Sequence, residues 1–323
     1  MPSSKLGVTD AKPRREGTPL TNSPPVTFII NPHSGLEPSG DVCGWLRRAL
    51  AGSGVKPEIL LAESGSNVAE LARRAVQERS PAVIAGGGDG TVNAVAAQLV
   101  GTGLALGVLP LGTLNHFAKQ LHIPLEREAA LQSLLTGRII SVDAAEVNGR
   151  PFVNNSSLGL YPWLVAEREK EQRKGRSKWA AFVQAGFSAL RRYPFLEVTL
   201  IVDGRELHYR TPFVFIGNNK YSMEAFRIGA RETLNGGELC LFAAARGRRR
   251  DLLKLAMWTL VGRASRACEL QALSAREILI ETPRKRVQVA LDGEVTELES
   301  PLRYRTLPGA LRVIVPAGEA RAA

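Results

Sequence analysis

The first half of the chain alternates short apolar runs with stretches of helical spacing, and this alternation constrains the fold more than any other feature. Strands separated by helices of this length are expected to run parallel and to be joined by crossover connections. The predicted order is strand 26–30, helix 41–51, strand 58–61, helix 66–79 with Ser66 as its N-cap, strand 82–85, helix 91–100 and strand 104–109. We therefore expect a doubly wound α/β layer, in which ligands bind beyond the carboxyl ends of the strands.

The pattern of predicted elements changes after about Gly137, where strand candidates follow one another with few helices between them. Asn148-Gly149, Asp203-Gly204 and Asp292-Gly293 are strong hairpin signals, because these residues tolerate the positive φ of tight two-residue turns. Strands are predicted at 139–147, 151–155, 195–202, 211–216, 238–242, 275–280, 287–291 and 311–315, with helices near 178–192 and 249–261. The second half is therefore predicted to be a mainly antiparallel β-sandwich.

These patterns predict an α/β fold class with two domains and two short tails. We place a flexible tail at 1–24, an α/β domain at 25–140, a β-sandwich domain at 141–316 and a second tail at 317–323. The first 25 residues lack the apolar segment of a signal peptide. The apolar run 252–262 contains a lysine and falls short of the roughly 20 residues of a spanning helix. Three scattered cysteines give no disulfide framework, so we expect a cytoplasmic protein with free thiols.

Three polar segments that contain glycine each follow a predicted strand of the first domain. They are 31–35 (Asn-Pro-His-Ser-Gly), 86–91 (Gly-Gly-Gly-Asp-Gly-Thr) and 110–115 (Pro-Leu-Gly-Thr-Leu-Asn). Glycine lets backbone N–H groups approach a ligand, and a helix N-terminus behind it adds about half a positive charge. Three such turns at the same edge of a sheet are typical of a nucleotide or polyphosphate site.

Neither of the standard phosphate-binding fingerprints occurs in these segments. None of them ends in Gly-Lys-Ser/Thr, and the residues around Asp89 lack the spacing of the dinucleotide-binding pattern. Backbone amides and hydroxyl groups are therefore expected to bind the phosphates. Asp89 would repel phosphate unless a cation lies between them, and Mg²⁺ commonly binds one or two carboxylates together with phosphate oxygens.

The order and spacing of the three segments resemble the diacylglycerol kinase catalytic-domain family, which includes bacterial lipid kinases and sphingosine and ceramide kinases. The resemblance rests on Asn31-Pro32-x-Ser34-Gly35, Gly87-Gly88-Asp89-Gly90-Thr91 and Gly112-Thr113-x-Asn115, and it covers roughly residues 25–316. The central motif alone is shared with NAD kinases and, more loosely, with phosphofructokinases. The resemblance implies an ATP-dependent lipid kinase that binds ATP and Mg²⁺ in the cleft between the two domains.

The resemblance also implies roles for individual residues. It assigns nucleotide contacts to twelve positions, with Asp89 acting through the catalytic Mg²⁺: Asn31, Ser34, Gly87, Gly88, Asp89, Gly90, Thr91, Val92, Asn93, Gly112, Thr113 and Asn115. The glutamate of a late Asp-Gly-Glu is the general base of the family, which corresponds here to Glu294. Asp143 resembles a further acidic residue of the active site. Without the resemblance, the alternative interpretation is that the segment 292–294 is an ordinary hairpin turn and that Asp143 is a solvent-facing acid on a strand.

Several positions depart from the family pattern. Ala94 stands where the family usually has Glu, His116 where it usually has Asp, and Ala62 where bacterial relatives have a Thr that contacts nucleotide. The segment 235–237 (Asn-Gly-Gly) lacks the carboxylate with which some members bind a structural Mg²⁺, so we expect no strong metal site there. The departures keep open a nucleotide-regulated lipid-binding protein that has lost catalysis. An NAD kinase-like enzyme is the nearest alternative among enzymes.

The net charge of +11 is compatible with an anionic partner. Basic residues cluster at 167–178, 246–254 and 284–286, all in the second half. No recognition motif accompanies them, so we expect no nucleic-acid partner. We expect instead that the protein docks peripherally on an anionic membrane surface that contains the lipid substrate. The alternative is a solvated charged surface. A homodimer is compatible with the sequence, which does not disclose the oligomeric state.

Overall fold

The computed structural model of the protein describes residues 25–34, 41–63, 65–160, 162, 195–221, 231, 233–244 and 270–317. In the first domain, strands and helices alternate. They are β1 (Val26–Ile30), α1 (Val42–Leu50), β2 (Pro57–Leu61), α2 (Gly65–Gln77), β3 (Ala82–Gly87), α3 (Asp89–Leu99), β4 (Ala105–Pro110), α4 (His116–Gln120) and α5 (Arg127–Thr136). The four strands are parallel and lie in the order β2-β1-β3-β4, which confirms the predicted doubly wound layer.

Every residue of β1, β3 and β4 is buried, as expected for parallel strands that helices cover on both faces. Three details differ from the prediction. Strand β3 continues through Gly87 and α3 already begins at Asp89, so only Gly88 separates them. Helix α2 begins at Gly65, so Ser66 lies inside the helix and the prediction of Ser66 as N-cap is wrong. Helix α5, capped by the side chain of Glu126, was not predicted.

The remaining strands form the second domain. They are β5 (Arg138–Val147), β6 (Arg150–Phe152), β7 (Asn155–Gly159), β8 (Leu196–Val202), β9 (Arg205–Thr211), β10 (Phe213–Asn218), β11 (Leu239–Ala244), β12 (Leu270–Ala275), β13 (Glu277–Glu281), β14 (Arg286–Leu291), β15 (Glu294–Glu299) and β16 (Leu302–Val315). All pairs among these strands are antiparallel. One sheet has the order β12-β11-β10-β7-β14-β15, and its residues share a core with β5, β8, β13 and β16. The predicted antiparallel β-sandwich is confirmed.

Strands β5 and β16 join the two domains. They pair along most of their length, with an irregularity between Leu307 and Leu311. The first residues of β16 pair with β13 in the sandwich, whereas Arg312 and Val313 pair with β4 of the parallel layer. A single ten-stranded sheet therefore runs through both domains in the described part of the chain. The predicted boundary at residue 140 falls within β5; the boundary and the tails stay predictions.

All three predicted hairpin turns are present. Asn148-Gly149 joins β5 to β6, Asp203-Gly204 joins β8 to β9, and Asp292-Gly293 joins β14 to β15, with positive φ at both residues of each turn. Strands β9, β12 and β15 were not predicted, and each of them lies at an edge of its sheet. The predicted strand 151–155 is instead divided between β6 and β7.

The predicted helices near 178–192 and 249–261 lie outside the described residues, as do the basic clusters 167–178 and 246–254. No helix in the described part of the chain has the length and the apolar character that crossing a membrane requires.

Candidate active site

The three glycine-containing segments meet at the carboxyl ends of the neighbouring strands β1, β3 and β4. The backbone N–H of Asn31 donates to the carbonyl oxygen of Gly86 over 2.8 Å, and the N–H of Leu111 donates to that of Gly87 over 3.0 Å. The strand order places β3 between the other two strands. The edge at which ligands bind in open α/β sheets therefore carries all three segments.

Thr91, in the first turn of α3, connects the first segment to the second. The side-chain amide of Asn31 donates to Thr91 Oγ1 over 3.1 Å, and Ser34 Oγ lies 3.5 Å from the same oxygen. Thr91 itself is buried. Three of the predicted nucleotide contacts therefore form one small polar group at the start of α3.

The third segment packs directly against the backbone of the second. A Cβ atom on Gly112 would lie 2.3 Å from the Cα of Gly88, so only glycine allows this approach. Asn115 adopts a left-handed conformation with φ of 51°, and its side chain both accepts from Gly112 N over 3.1 Å and donates to Gly112 O over 2.7 Å. The neighbouring Thr113 is exposed. Asn115 thus stabilises the turn of the third segment through its own side chain.

Asp89 is half-buried at the beginning of α3, and one oxygen of its carboxylate accepts the backbone N–H of Phe117 over 3.1 Å. The first intrahelical bond at this end runs from Val92 N to Gly88 O, so the N–H groups of residues 89–91 have no partner within the helix. Such a helix end favours an anion. The side chain of Val92, another predicted contact, is buried in the core.

A magnesium ion at Asp89 fits this donor set. Among the described residues, no group of three or more His, Cys, Asp or Glu side chains is arranged to hold a metal by itself. Mg²⁺ does not need such a group, because it usually keeps several waters and binds one or two carboxylates together with substrate phosphates. Asp89 beside amides that favour phosphate provides this combination.

Asp143, the second predicted catalytic carboxylate, is only 4% exposed. Its two oxygens accept the backbone N–H groups of Gly237 over 2.7 Å and of Gly309 over 2.8 Å. The alternative of a solvent-facing acid is therefore wrong. The geometry shows a carboxylate that joins the segment before β11 to the irregular part of β16, and its catalytic role stays a prediction.

The turn that precedes Glu294 is anchored by the carboxylate of Asp292. This group accepts three successive backbone N–H groups, from Val153 over 2.8 Å, from Asn154 over 2.7 Å and from Asn155 over 3.0 Å. Burial raises the pKa of the Asp292 carboxyl above its ordinary value, while the three amides and a nearby arginine oppose that rise. Glu294, the first residue of β15, is exposed.

One side-chain contact connects this turn to the glycine-containing edge. The amide nitrogen of Asn154 donates to Asn93 Oδ1 over 2.9 Å, and Asn93 lies in α3, four residues after Asp89. The backbone N–H of the same Asn154 donates to Asp292. The hairpin that carries Glu294 and the helix that carries Asp89 are therefore linked across the two domains through a single residue.

Sequence reasoning missed the polar residues that surround this link. Arg231 donates to Gln120, to the carbonyl of Val153 and to the side chain of Asn154, and its guanidinium carbon lies 5.9 Å from the ring centroid of Phe117. Tyr221 Oη donates to the carbonyl of Asn154 over 2.9 Å, and burial raises the pKa of this tyrosine to about 12. None of these residues belongs to a recognisable motif, so no sequence signal could have found them.

The structure shows the environment of each residue that differs from the family pattern. Ala62 is buried at the end of β2, Ala94 is half-buried against the core, and His116 is exposed at the start of α4. A Cβ on Gly236 would lie 2.9 Å from Oδ1 of the buried Asn219. The side chain of Asn219 thus occupies the space into which a carboxylate at position 236 would extend.

Two family models match the chain in agreement with this geometry. Residues 25–147 match the diacylglycerol kinase catalytic domain, and residues 164–315 match the YegS C-terminal NAD kinase beta sandwich-like domain. The first domain of the chain belongs to the diacylglycerol kinase catalytic-domain family.

Curated relatives named "Probable lipid kinase YegS-like" agree with this membership. The relative from Klebsiella pneumoniae (strain 342) is 32% identical over 203 residues, which is 61% of this chain and 66% of the relative. The relative from Yersinia pestis (strain Pestoides F) is 45% identical over 177 residues, 52% of this chain and 55% of the relative. The chain therefore matches somewhat less than two thirds of the length of these relatives.

Solved structures share the fold. A crystal structure of a diacylglycerol kinase from Bacillus anthracis str. Sterne superposes with a TM-score of 0.63 at 21% identity and covers 90% of this chain and 96% of that chain. A crystal structure of yeast NADH kinase in complex with NADH superposes with a TM-score of 0.51 at 12% identity and covers 94% and 85%. The two-domain arrangement is thus common to kinases with different names.

We expect Gly112→Ala to lower the free energy of unfolding by about 1–3 kcal/mol, the usual cost of overpacking. The added methyl group would overlap the backbone of Gly88, which has no side chain that could move aside. Urea unfolding measures the change. Gly65→Ala is the matched control, because a Cβ there meets nothing within 4 Å, and its effect should stay within about 0.5 kcal/mol. Equal stability of both variants would show that the two loops are not in backbone contact.

Proposed function

We propose that the protein is an ATP-dependent lipid kinase that transfers the γ-phosphate of ATP to a hydroxyl group of a diacylglycerol-like or related lipid. The observation that carries this proposal is the link from Asp89 on α3, through Asn93 and Asn154, to the Asp292 turn that bears Glu294. Phosphoryl transfer needs a phosphate site beside a group that accepts the proton of the attacking hydroxyl. Family membership and the names of the curated relatives support a lipid as acceptor.

The first domain supplies the groups that hold the phosphates. The free N–H groups at the start of α3 and the loop containing Gly112 and Thr113 are placed to offset the charge that develops on the transferred phosphate. Asn31 and Ser34 fix the hydroxyl of Thr91 at the same edge. Asp89 would hold Mg²⁺, which when bound neutralises part of the phosphate charge.

Glu294 acts as the general base in this proposal. Its exposed carboxylate takes the proton of the lipid hydroxyl while the hydroxyl oxygen forms a bond to the γ-phosphorus. The bond between that phosphorus and the β-γ bridging oxygen breaks in line, and ADP leaves with the electron pair. Asp292 keeps the turn, and with it Glu294, in place on the second domain.

Incubation with γ-labelled ATP, Mg²⁺ and separate acceptors tests the proposal. The acceptors are diacylglycerol, a sphingoid base, a monoacylated glycerolipid, a prenol and NAD. Label on a lipid supports the lipid kinase. Label on NAD selects an NAD kinase-like enzyme, which the likeness to the fold of yeast NADH kinase favours as second candidate. Nucleotide binding without transfer to any acceptor would show a lipid-binding protein that has lost catalysis.

Glu294→Gln should lower turnover by roughly 10²- to 10⁴-fold, the usual contribution of a general base, because the amide cannot accept the hydroxyl proton. Binding of a non-hydrolysable ATP analogue, measured by calorimetry, should remain within about twofold of the parent protein. Glu299→Gln is the matched control, because this glutamate is exposed at the far end of the same strand. Normal turnover of Glu294→Gln would refute the assignment of the base.

We also propose that the protein docks peripherally on anionic membranes. The described part of the basic surface is the exposed cluster Arg284, Lys285 and Arg286, which precedes and begins β14. Each basic residue close to an anionic surface contributes about 1 kcal/mol at low salt. This cluster would bring the lipid substrate and the enzyme together at the membrane.

Removal of the charges of Arg284 and Lys285 by substitution with Gln should weaken binding to vesicles that contain phosphatidylglycerol by about 30-fold at low salt, which corresponds to about 2 kcal/mol. Cosedimentation measures the binding, and vesicles of phosphatidylcholine alone show the dependence on charge. The double variant Arg73→Gln/Arg74→Gln removes the same charge from exposed positions on α2 and should bind normally. Binding that depends neither on lipid charge nor on salt contradicts the docking proposal.

A further inference from the structure

Arg231 lies where three separate segments of the chain meet. Its Nε and Nη2 donate to Oε1 of Gln120 over 3.1 and 2.7 Å, which fixes it to the end of α4. Its Nη1 donates to the carbonyl oxygen of Val153 over 2.6 Å, and its Nη2 donates to Oδ1 of Asn154 over 3.0 Å. Its backbone forms an isolated antiparallel bridge with Tyr221. The side chain of Arg231 therefore connects the first domain to the segment before β7, and its backbone is held by the bridge to Tyr221.

The contacts of Arg231 determine how the amide group of Asn154 is oriented. Because Oδ1 of Asn154 accepts from the guanidinium, Nδ2 is left to face Asn93 on α3, to which it donates over 2.9 Å. A guanidinium has only donors, so it cannot face the amide nitrogen. Arg231 thus selects the orientation in which Asn154 connects the second domain to α3.

The charge of Arg231 also interacts with the carboxylate of Asp292. Burial lowers the pKa of Arg231 below its ordinary value, while Tyr221, Asp292 and Asp143 oppose that lowering. In return the guanidinium favours the ionised form of Asp292, which is the form that accepts the N–H groups of residues 153–155. A cation at this position therefore supports the turn electrostatically in addition to its hydrogen bonds.

We propose that Arg231 is a positioning residue for the phosphoryl transfer. It holds the segment Val153–Asn155, and through it the turn that carries Glu294, in register with α3 and α4. Helix α3 carries Asp89, and α4 donates the N–H of Phe117 to the carboxylate of Asp89, so Arg231 is connected to both halves of the site. The inference rests on the proposed kinase function and adds a residue that no motif in the sequence indicates.

Substitutions of Arg231 and Gln120 test this role. Arg231→Gln removes the charge and most of the donors, whereas Arg231→Lys keeps the charge without the planar fork that reaches three acceptors. Gln120→Ala removes only the acceptor on α4. We expect kcat to fall by roughly 10- to 100-fold in Arg231→Gln, because a misplacement of about 1 Å can cost 10²-fold, and less in Arg231→Lys. KM for ATP should change by less than about threefold.

A purely structural role would give a different result. It would lower the thermal unfolding temperature of the variants while kcat per folded molecule stayed at the parent value, and this outcome would overturn the proposal. Arg305→Gln is the matched control, since Arg305 is an exposed arginine of β16 that pairs with Glu146. Its kcat should be unchanged. If Arg231→Gln does not fold, Arg231→Lys and Gln120→Ala still decide, because both are expected to lower kcat.

Hydrogen exchange separates this inference from the proposed function. The amides of residues 153–155 donate to Asp292, so they should exchange faster in Arg231→Gln than in the parent protein or in Arg305→Gln. If the parent protein phosphorylates no lipid, the proposed function fails, and faster exchange still shows that Arg231 positions the Asp292 turn. If the parent protein is active and the variants keep both kcat and slow exchange, only the inference about Arg231 fails.

Discussion

The arrangement of the site depends on the hydrogen bonds that the carboxylate of Asp292 accepts from the backbone. A carboxylate enclosed by protein is costly unless hydrogen bonds and opposite charge compensate it. Here three consecutive backbone N–H groups and Arg231 provide that compensation. Asp292 also has φ of 49° at the first position of a tight hairpin turn, a conformation that Asp tolerates better than most residues. Asp292 therefore forms the turn and also fixes the turn to the segment before β7, which leaves Glu294 at a defined place.

The glycine-containing edge uses a different physical principle. Its order comes from close backbone approach and from short polar side chains, because Gly88 and Gly112 are in contact and Asn31, Ser34 and Asn115 bond within the loops. This leaves the N–H groups at the start of α3 free for a ligand. No lysine or arginine is needed among these residues, which agrees with the absence of the standard phosphate-binding fingerprints from the sequence. The basic clusters lie in the second half of the chain, and 284–286 is the one among the described residues.

Local chemistry made much of this fold predictable. Alternating apolar runs and helices specified the parallel layer, and Asn-Gly and Asp-Gly specified three hairpins, because these signals depend on neighbouring residues alone. Strands β9 and β15 were missed because these edge strands carry charged residues that hide the apolar pattern. The three glycine segments followed from their position after strands. The hydrogen bonds of Asn154 to Asn93 and to Arg231 could not be predicted from the sequence. They join residues that are 61 and 77 positions apart and that belong to no sequence pattern.

The fold by itself does not separate a lipid acceptor from a nicotinamide acceptor, since the NADH kinase structure shares it over most of the chain. The distinction lies in residues placed on that fold. The Asp292-Gly293-Glu294 hairpin and the closed loop from Gly112 to Asn115 are the two elements that resemble lipid kinases and not NAD kinases. The structure ties the first of them to α3 through Asn154 and packs the second against Gly88. Both discriminating elements are therefore fixed relative to Asp89, and in the proposed reaction the acceptor hydroxyl would approach the exposed side of Glu294, which a lipid could reach from the surface.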